Sequence, residues 1–364
     1  MRMLNKAKWV ILGVVVILFV ALVPGLMNND YLMTVMCNAL IYSIAVYGLS
    51  IILGMGGQVT FSTAGMMGLG AFTSGAFTTK LGLHPLLGLL ASIIVVSLFS
   101  LLIGLILFRL KGTYFAFATI ALVQIMYVVM LNWKDVTGGA EGMPGIPPLD
   151  LGFMVVDSTR KYFYVIFAFS ILCGLIVHRI RKSSLGRSLS SVRDNEIAAY
   201  CLGVNVFRTK VISFIISGAF AAIAGSLYAH INTYISAESF TFEQSGIFLI
   251  MVMLGGVAST VGAFFGAVLL TLLPEAMRFM QTYYKLVYGF GIIIIMVVMP
   301  MGLAGMVKAF LHRIMHRRPA ALAAAGTSEE AVLPNDLLPK QLDEVSLDVN
   351  KKESTHDSES EAES

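Results

Sequence analysis

Residues 84–108 of the chain read HPLLGLLASIIVVSLFSLLIGLILF, a run that contains no Asp, Glu, Lys or Arg. A helix needs about 20 mostly apolar residues to cross a hydrocarbon core of about 30 Å. The run is therefore long enough to span a bilayer, and its freedom from charge is what a lipid environment requires. The sequence predicts a transmembrane helix here.

The composition of the whole chain agrees with this prediction. Only 13% of its 364 residues are charged and the mean hydropathy is +0.83, whereas a soluble domain carries about 25% charged residues. These values exclude a soluble globular protein. The three cysteines, Cys37, Cys173 and Cys201, are far apart and match no disulfide or metal-ligand spacing, so they are predicted to be small packing residues.

Apolar runs of similar length recur along the chain, at 10–27, 32–53, 113–133, 162–178, 211–231 and 285–305. The first of them resembles a signal peptide, but no A-x-A cleavage pattern follows it, and a retained helix is predicted. Residues 60–79 are rich in Gly, Ala, Ser and Thr, which favours a closely packed helix.

One region is longer than a single crossing needs. Residues 246–279 are interrupted by Gly255-Gly256 and Ser259-Thr260, which predicts either two crossings, 246–258 and 263–279, or a broken or re-entrant helix pair. The fold class is thus an all-α polytopic membrane protein with about ten transmembrane helices, within a range of eight to ten.

The loop charges predict the orientation. If the N-terminus is cytoplasmic, the inside segments hold sixteen Lys and Arg and the outside segments hold six, so the positive-inside rule places both termini in the cytoplasm. Residues 134–161 are then an external loop and residues 179–210 a cytoplasmic one. A transmembrane domain over 1–308 is followed by a segment, 309–364, that starts basic and ends in an acidic tail. That tail has the composition of a disordered segment, either dispensable or used for docking or phosphorylation.

Motifs of enzymes are absent from the sequence. It contains no G-x-x-x-x-G-K-[ST] phosphate-binding loop, no H-E-x-x-H and no G-x-S-x-G. No catalytic residue, metal site or cofactor bound by this chain is therefore predicted. Because its cations are explained by membrane orientation, no nucleic-acid partner is predicted either.

Polar residues and glycines within the apolar runs are candidates for a translocation path. Amide side chains at membrane depth are costly to expose to lipid, so they are predicted to face other helices or a water-filled path. Glycine pairs that interrupt an apolar run often line transport pathways. The candidate path and hinge residues are Gly54, Gly56, Gly57, Gln58, Ser62, Gln124, Asn132, Gly255 and Gly256.

The cytoplasmic segment 179–210 is too long for a plain connection. Its apolar residues, including Leu189, Val192, Ile197 and Leu202, recur with helical spacing, and Gly203 suits the position just after a helix. One short amphipathic helix is predicted. It either rests on lipid headgroups or, because it also carries acidic residues, docks onto a cytoplasmic protein.

Several of these stretches together carry a family resemblance. The sequence Arg193-Asp-Asn-Glu-Ile-Ala-Ala199 with Gly203 looks like the EAA-type loop of ABC importer permeases, and the chain from about residue 30 to 308 resembles the branched-chain amino acid permease family, in particular its LivM-type subunit. The other matching landmarks are Gly56-Gly57-Gln58 with Ser62, Gly112 to Ala116, Asn132-Trp133, Thr137-Gly138-Gly139, Gly142, Gly145-Ile146-Pro147, Ala221 to Gly225, Tyr228, Ile235 to Phe240 and Leu254-Gly255-Gly256.

The resemblance implies an ATP-driven importer of branched-chain amino acids in the cytoplasmic membrane. This chain would be half of its channel, beside a LivH-type permease, two ATPase subunits that bind ATP and Mg²⁺, and an extracytoplasmic binding protein. Urea, short amides or another amino acid are alternative substrates, and an ion-coupled secondary transporter is the alternative mechanism. The resemblance assigns ATPase coupling to Gly186, Arg187, Arg193, Asp194, Glu196, Ala198, Ala199 and Gly203.

Overall fold

The computed structural model describes residues 30–110, 112–150, 156, 158–257, 259–277, 289–290, 302 and 305. The predicted span at 10–27 and the predicted segment 309–364 lie outside the described residues, as does nearly all of the predicted span at 285–305. Within the described ranges the chain is helical, apart from short loops and one two-stranded sheet.

The helices follow the predicted apolar runs. The first, α1, continues beyond Leu49 as a π-helix over Ser50–Met55, so the two form one rod of 26 residues. The α-helices are α1 (Asp30–Leu49), α2 (Thr63–Thr79), α3 (Pro85–Leu107), α4 (Thr113–Asn132), α5 (Lys134–Thr137), α6 (Thr159–Lys182), α7 (Ser184–Asp194), α8 (Glu196–Cys201), α9 (Val206–Asn232), α10 (Phe242–Gly255) and α11 (Thr260–Ala276).

Five of the described helices are long and apolar enough to cross a membrane: α1 with its π-helical extension, α3, α4, α6 and α9. They confirm the helices predicted from the five corresponding runs. The helices α2, α10 and α11 are shorter, at 17, 14 and 17 residues. The chain is a multi-pass membrane protein, and the number of ten crossings stays a prediction.

Local sequence signals explain several helix starts. Pro85 occupies the first turn of α3, where its missing N–H costs nothing. The side chains of Asn205 and Ser259 accept hydrogen bonds from backbone N–H groups in the first turns of α9 and α11, which is the usual role of an N-cap residue. At the C-terminal end of α6, three basic residues in the last turn interact favourably with the negative pole of the helix dipole.

The rod formed by α1 and the π-helix lies at the centre of the bundle. It packs against α6, α9, α10 and α11, and 83% of its most apolar window is buried, compared with 28–33% for α3, α4 and α6. Those three helices therefore present wide apolar faces outward, while α1 is enclosed by protein. Any movement of α1 must be accommodated by the four helices around it.

Glycines let the inner helices approach closely. A methyl group on Gly225 of α9 would overlap the carbonyl oxygen of Met67 on α2, and one on Gly70 would lie 2.7 Å from the Cα of Ala222. The prediction that residues 60–79 form a closely packed helix is confirmed. Such contacts between backbones are how membrane helices associate without a hydrophobic driving force.

The region 246–279 is broken where its glycines predicted. Helix α10 ends at Gly255, α11 begins at Thr260, and a methyl group on Gly255 or on Gly266 would overlap the backbone of the other helix. The two helices form a tight antiparallel hairpin. Its turn lies beside the end of the π-helix, because a methyl group on Gly54 would overlap the carbonyl oxygen of Val257.

The opposite end of the bundle is closed by the first part of the predicted external loop. Residues Met143–Pro144 pair with Tyr234–Ile235 in an antiparallel sheet. The imidazole of buried His230 hydrogen-bonds the Pro147 carbonyl through Nδ1 at 2.8 Å and the Ser74 hydroxyl through Nε2 at 3.0 Å. This part of the loop is thereby fixed onto α2 and α9.

Candidate functional site

The segment predicted as one amphipathic helix consists of two. Helix α7 ends at Asp194 and α8 begins at Glu196, and the Asn195 side chain between them accepts hydrogen bonds from the N–H groups of Ile197 and Ala198, both at 3.0 Å. The expectation of a single helix is therefore wrong. Asn is among the preferred N-cap residues, and this signal at position 195 predicts the break when it is taken into account.

The break separates a buried face from an exposed one. Leu189 and Val192 of α7 are buried. Beyond Asn195, Ile197, Tyr200 and Leu202 are 78%, 74% and 82% exposed, although Ile197 and Leu202 were grouped with Leu189 in one apolar face. We call these three exposed residues, two on α8 and Leu202 directly after its last residue, the α8 surface. Several large exposed apolar side chains on one short segment make it a candidate interaction site.

Glycines fix both ends of this segment. A methyl group on Gly186 would overlap the carbonyl oxygen of Ile180, so α7 turns back directly onto the end of α6. Gly203 has a φ of +83° and follows the last residues of α8, as its predicted position after a helix requires. Arg187 is exposed and donates to the Lys182 carbonyl at 3.0 Å, while Ala198 is exposed and Ala199 is buried.

Arg193 connects this segment to the central helix. Its Nη1 donates to the carbonyl oxygen of Gly54 at 2.9 Å, while Nε and Nη2 donate to Asp194 Oδ1 at 3.1 and 3.0 Å. The stem of Arg193 lies over Gly57, where an added Cβ would come within 2.7 Å of its Cγ. Two groups of residues that were predicted separately, for coupling and for the hinge, are thus in direct contact.

The two predicted glycine hinges also meet at this place. Gly54 abuts the backbone of Val257 in the hairpin turn, and Gly56 faces Leu189 of α7, whose Cδ2 would lie 3.5 Å from an added Cβ. Gly57 and Gly256 have φ angles of +67° and +103°, which residues other than glycine rarely adopt. We call this meeting point of the π-helix end, the hairpin turn and α7 the cytoplasmic joint, after the side on which the loop charges predict it to lie.

Glu196 is half exposed and pairs with a mostly buried lysine. Its Oε1 lies 2.5 Å from Lys210 Nζ on α9, and the lysine side chain is only 12% exposed. The pair borders a cleft of about 730 Å³ that Phe108, Arg109, Tyr200 and Phe207 also line. The segment 184–201 is therefore held at two points, by Arg193 on the central helix and by Glu196 on α9.

The remaining predicted path residues are not brought together. Gln58 bonds only locally among the described contacts, through Nε2 to the Gly56 carbonyl at 3.3 Å, and Ser62 is buried with its hydroxyl 3.0 Å from that of Thr60. Gln124 is exposed in the middle of α4. Asn132 is exposed at the end of the same helix and donates to the Val128 carbonyl. These four side chains are distributed over both ends and the middle of the bundle.

Three contacting groups were missed by reasoning from the sequence. From the sequence, Lys210 is only one of the inside cations, because it lies fourteen positions after Glu196 and no helical spacing relates the two. The carbonyl of Val257 carries no side-chain signal at all. Tyr200 could have been found, since it lies three residues after Ile197 and so shares one face of α8 with it. Within the described ranges no three His, Cys, Asp or Glu residues are grouped as metal ligands.

Comparison with known proteins relates most of the chain to one family. Residues 31–298 match the family described as "Branched-chain amino acid transport system / permease component". The chain is 31% identical over 297 residues to the high-affinity branched-chain amino acid transport system permease protein LivM of Salmonella typhimurium, covering 74% of this chain and 69% of that protein. The LivM protein of Escherichia coli K12 is 30% identical over the same shares of both chains.

A second type of permease is also similar. The protein LivH of Salmonella typhimurium is 25% identical over 288 residues, which cover 72% of this chain and 91% of that protein. The similarity to both types indicates a permease of a multi-subunit system in which the two kinds of chain are homologous. No solved structure matches the chain.

Proposed function

The chain belongs to the branched-chain amino acid transport permease family as a LivM-type subunit, and we propose that it forms half of the channel of an ATP-driven importer in the cytoplasmic membrane. A homologous LivH-type permease would be the other half. Two ATPase subunits on the cytoplasmic side would supply ATP hydrolysis, and an extracytoplasmic binding protein would deliver the substrate.

The α8 surface is the observation that carries this proposal. Ile197, Tyr200 and Leu202 are exposed in a segment that the positive-inside rule predicts to be cytoplasmic, and the acidic residues beside them, Asp194 and Glu196, favour a protein partner over lipid headgroups. A partner protein that buried them would remove a large apolar area from water, and a buried aromatic such as Tyr200 is a frequent centre of binding energy. An ATPase subunit is the partner that the family assignment provides.

The exposed face of α4 supports a path between two permease chains. Gln124 lies on this face with Phe117 and Ile125, which are 69% and 60% exposed. An amide in the middle of a membrane helix is unfavourable against lipid and favourable against another helix or water. A homologous second permease that covers this face would give Gln124 a polar partner and would enclose a path along α4.

The cytoplasmic joint supplies a place where the bundle can change shape. Isolated π-helical turns occur mostly within α-helices and frequently at functional sites. Here the π-helix ends at Gly56 and Gly57 and touches the hairpin turn at Val257. Alternating access requires two arrangements of the helices around one path. A movement of α7 relative to this joint would change the position of α1 at the centre of the bundle.

Uptake by the reconstituted system tests the proposal. The chain is combined in proteoliposomes with the LivH-type permease, the ATPases and the binding protein encoded with it, and uptake of radiolabelled leucine is measured with and without ATP. We expect uptake that depends on ATP and is lost when the ATPases are omitted.

Two further arms of the experiment address the alternatives. Uptake that persists without the ATPases and follows an ion gradient would contradict the ATP-driven mechanism. Unlabelled isoleucine, valine, urea and acetamide are added as competitors. Competition by valine and isoleucine supports branched-chain specificity, while competition by urea or acetamide alone would assign the permease to another substrate.

A further inference from the structure

We propose that Arg193 is a positioning residue that couples the cytoplasmic segment to the central helix by capping the C-terminal end of that helix. This inference rests on the proposed function and concerns the direction in which Arg193 acts. It assigns the guanidinium to an internal bond with α1 and not to the surface that meets the ATPase.

The Gly54 carbonyl, near the end of the central rod, accepts no described hydrogen bond from the backbone of the rod. In a regular α-helix the carbonyl of Gly54 would accept from the N–H of residue 58, four positions on. Here the N–H of Gln58 donates to the Ile52 carbonyl at 3.2 Å and that of Gly57 to the Leu53 carbonyl at 3.1 Å. The Gly54 carbonyl instead accepts from Arg193 Nη1 at 2.9 Å.

The charge of Arg193 suits this position. The carbonyls at the C-terminal end of a helix carry the negative pole of its dipole, and a cation there is favourable. The last turn of the central rod, unlike that of α6, contains no basic residue of its own. Arg193 therefore supplies from another helix the cation that this end lacks.

The Arg193 guanidinium donates to two neighbours, Asp194 and Gly54, through different nitrogen atoms. Nε and Nη2 both donate to Asp194 Oδ1, which leaves Nη1 directed at Gly54. The planar fork of arginine allows this division, whereas a lysine ammonium is a point charge on a flexible stem. Asp194 thus orients Arg193, and the buried Leu189 holds α7 against Gly56 below it.

The position of the bond makes it a route for movement. Helix α1 touches α6, α9, α10 and α11, so a displacement of its cytoplasmic end would act on those four helices. The α8 surface begins only four residues after Arg193. A pull on α8 by a partner would consequently reach α1 through one charged hydrogen bond and the glycine contacts beside it.

Measurement of transport per ATP distinguishes this role from docking. The complete complex is reconstituted with wild-type chain, Arg193→Gln and Arg193→Lys, and assembly with the ATPases, basal hydrolysis and leucine uptake are measured. Arg193→Gln should assemble and hydrolyse ATP within about twofold of wild type but import about tenfold less leucine per ATP, the factor expected for loss of a charged hydrogen bond. Arg193→Lys should be intermediate, and Arg179→Gln, which removes an exposed charge from the same segment, should leave uptake per ATP unchanged.

A second pair of variants keeps the test decisive if Arg193→Gln fails to fold. A Cβ on Gly57 meets the Arg193 side chain, so Gly57→Ala should lower uptake per ATP in the wild-type background and much less so in an Arg193→Ala background. Gly82→Ala is the control for backbone strain, because Gly82 has a similar φ of +61° and no described atom lies within 4 Å of an added Cβ.

The outcomes separate the two levels of the proposal. If the wild-type complex shows no ATP-dependent uptake, the proposed function has failed and Arg193 is not addressed. If the wild-type complex transports and Arg193→Gln either loses the ATPase or imports as much leucine per ATP as wild type, the capping role is wrong. Strictly multiplicative effects of Gly57→Ala and Arg193→Ala would also overturn it.

Discussion

The carboxylate of Glu196 lies 2.5 Å from the ammonium of Lys210, so this acidic residue at the start of α8 forms an ion pair within the chain. The pair joins the first residue of α8 to the first turns of α9, and the lysine is mostly buried. Because the Glu196 carboxylate is half exposed, water weakens the pair, and its loss mainly leaves the mostly buried Lys210 ammonium without a partner. We therefore expect Glu196 to set the position of the α8 surface through Lys210.

A charge reversal at this pair has a definite expected result. Glu196→Lys places two ammonium groups together, which should weaken the contact between α8 and α9 and reduce leucine uptake by the reconstituted complex severalfold, because the mostly buried Lys210 then meets a like charge. The double variant Glu196→Lys with Lys210→Glu restores opposite charges and should recover most of the uptake. Capture of the ATPases by the membrane-embedded chain is measured in parallel.

The double variant also identifies the opposite case. If Glu196 contacted the ATPase directly, the exchange of charges would not rescue uptake, because the partner would still meet a lysine at position 196. An uptake deficit that persists unchanged in the double variant would therefore show that Glu196 acts on the partner.

At the residue level the sequence predicted which residues are important better than it predicted which residues they contact. Glu196, Arg193 and Gly57 were all singled out, yet their contacts with Lys210, Gly54 and each other depend on how separate helices meet. Spacing along one helix reveals neighbours three or four positions apart, and it carries no information about residues 139 positions apart, as Gly54 and Arg193 are. Gln124 shows the reverse case, since its cost in lipid predicted a special environment that the described chain alone does not supply.

Helix α2, which is rich in Gly, Ala, Ser and Thr, packs mainly against α9. Gly225 rests against the carbonyl of Met67, so even one methyl group requires the two backbones to separate. Gly246 in α10 offers a matched comparison, because no described atom lies within 4 Å of a Cβ built there. Both glycines lie within α-helices, so they differ mainly in the space available for an added methyl group.

This difference predicts opposite effects on stability. Gly225→Ala should lower the melting temperature of the purified chain by about 3 °C or more, because inserting a methylene into a packed core typically costs about 1–3 kcal/mol. Gly246→Ala should leave the melting temperature unchanged or raise it slightly, since alanine is favoured over glycine in a helix by about 1 kcal/mol. Circular dichroism in detergent measures both.

Equal melting temperatures for the two variants would contradict the close approach of α2 and α9. A fall with Gly246→Ala alone would indicate instead that the surface around α10 is covered in the folded chain.

Elements defined by length and hydropathy were predictable, and those defined by packing were not. The runs at 84–108 and 211–231 contain α3 and most of α9 because apolar length alone decides a membrane helix. The glycines at 255–256 predicted a break, and the structure shows a hairpin there. The π-helix at Ser50–Met55 has no signature in its composition, and the division into α7 and α8 required reading Asn195 as an N-cap within an otherwise continuous pattern.

The loop charges predict an orientation of the whole molecule in which the described helices cross in alternating directions. If the N-terminus is inside, as the positive-inside rule predicts, the cytoplasmic joint, α7 and α8 would lie on the cytoplasmic side, and the sheet formed by residues 143–144 and 234–235 would lie outside. Tyr31 at the start of α1 donates a hydrogen bond to Glu275 at the end of α11 at 2.8 Å, and both residues lie on the side predicted to be external. The contacts of separate helices thus agree with the alternation that the positive-inside rule predicts.

Cys201 tests this orientation and the docking surface in one experiment. Of the three cysteines, Cys37 and Cys173 are buried and Cys201 is exposed in α8, so a membrane-impermeant maleimide should report on position 201. We expect labelling in inverted vesicles and none in intact cells, because α8 is predicted to be cytoplasmic. Co-expression of the ATPases should then suppress the labelling, since Cys201 lies next to Tyr200 and Leu202.

A Cys201→Ser chain that carries Glu141→Cys, at an exposed position of the predicted external loop, is the control. It should be labelled in intact cells and not in inverted vesicles, with no effect of the ATPases. Labelling of Cys201 from outside would overturn the orientation, whereas labelling from inside that the ATPases leave unchanged would remove α8 from the interface while keeping the topology.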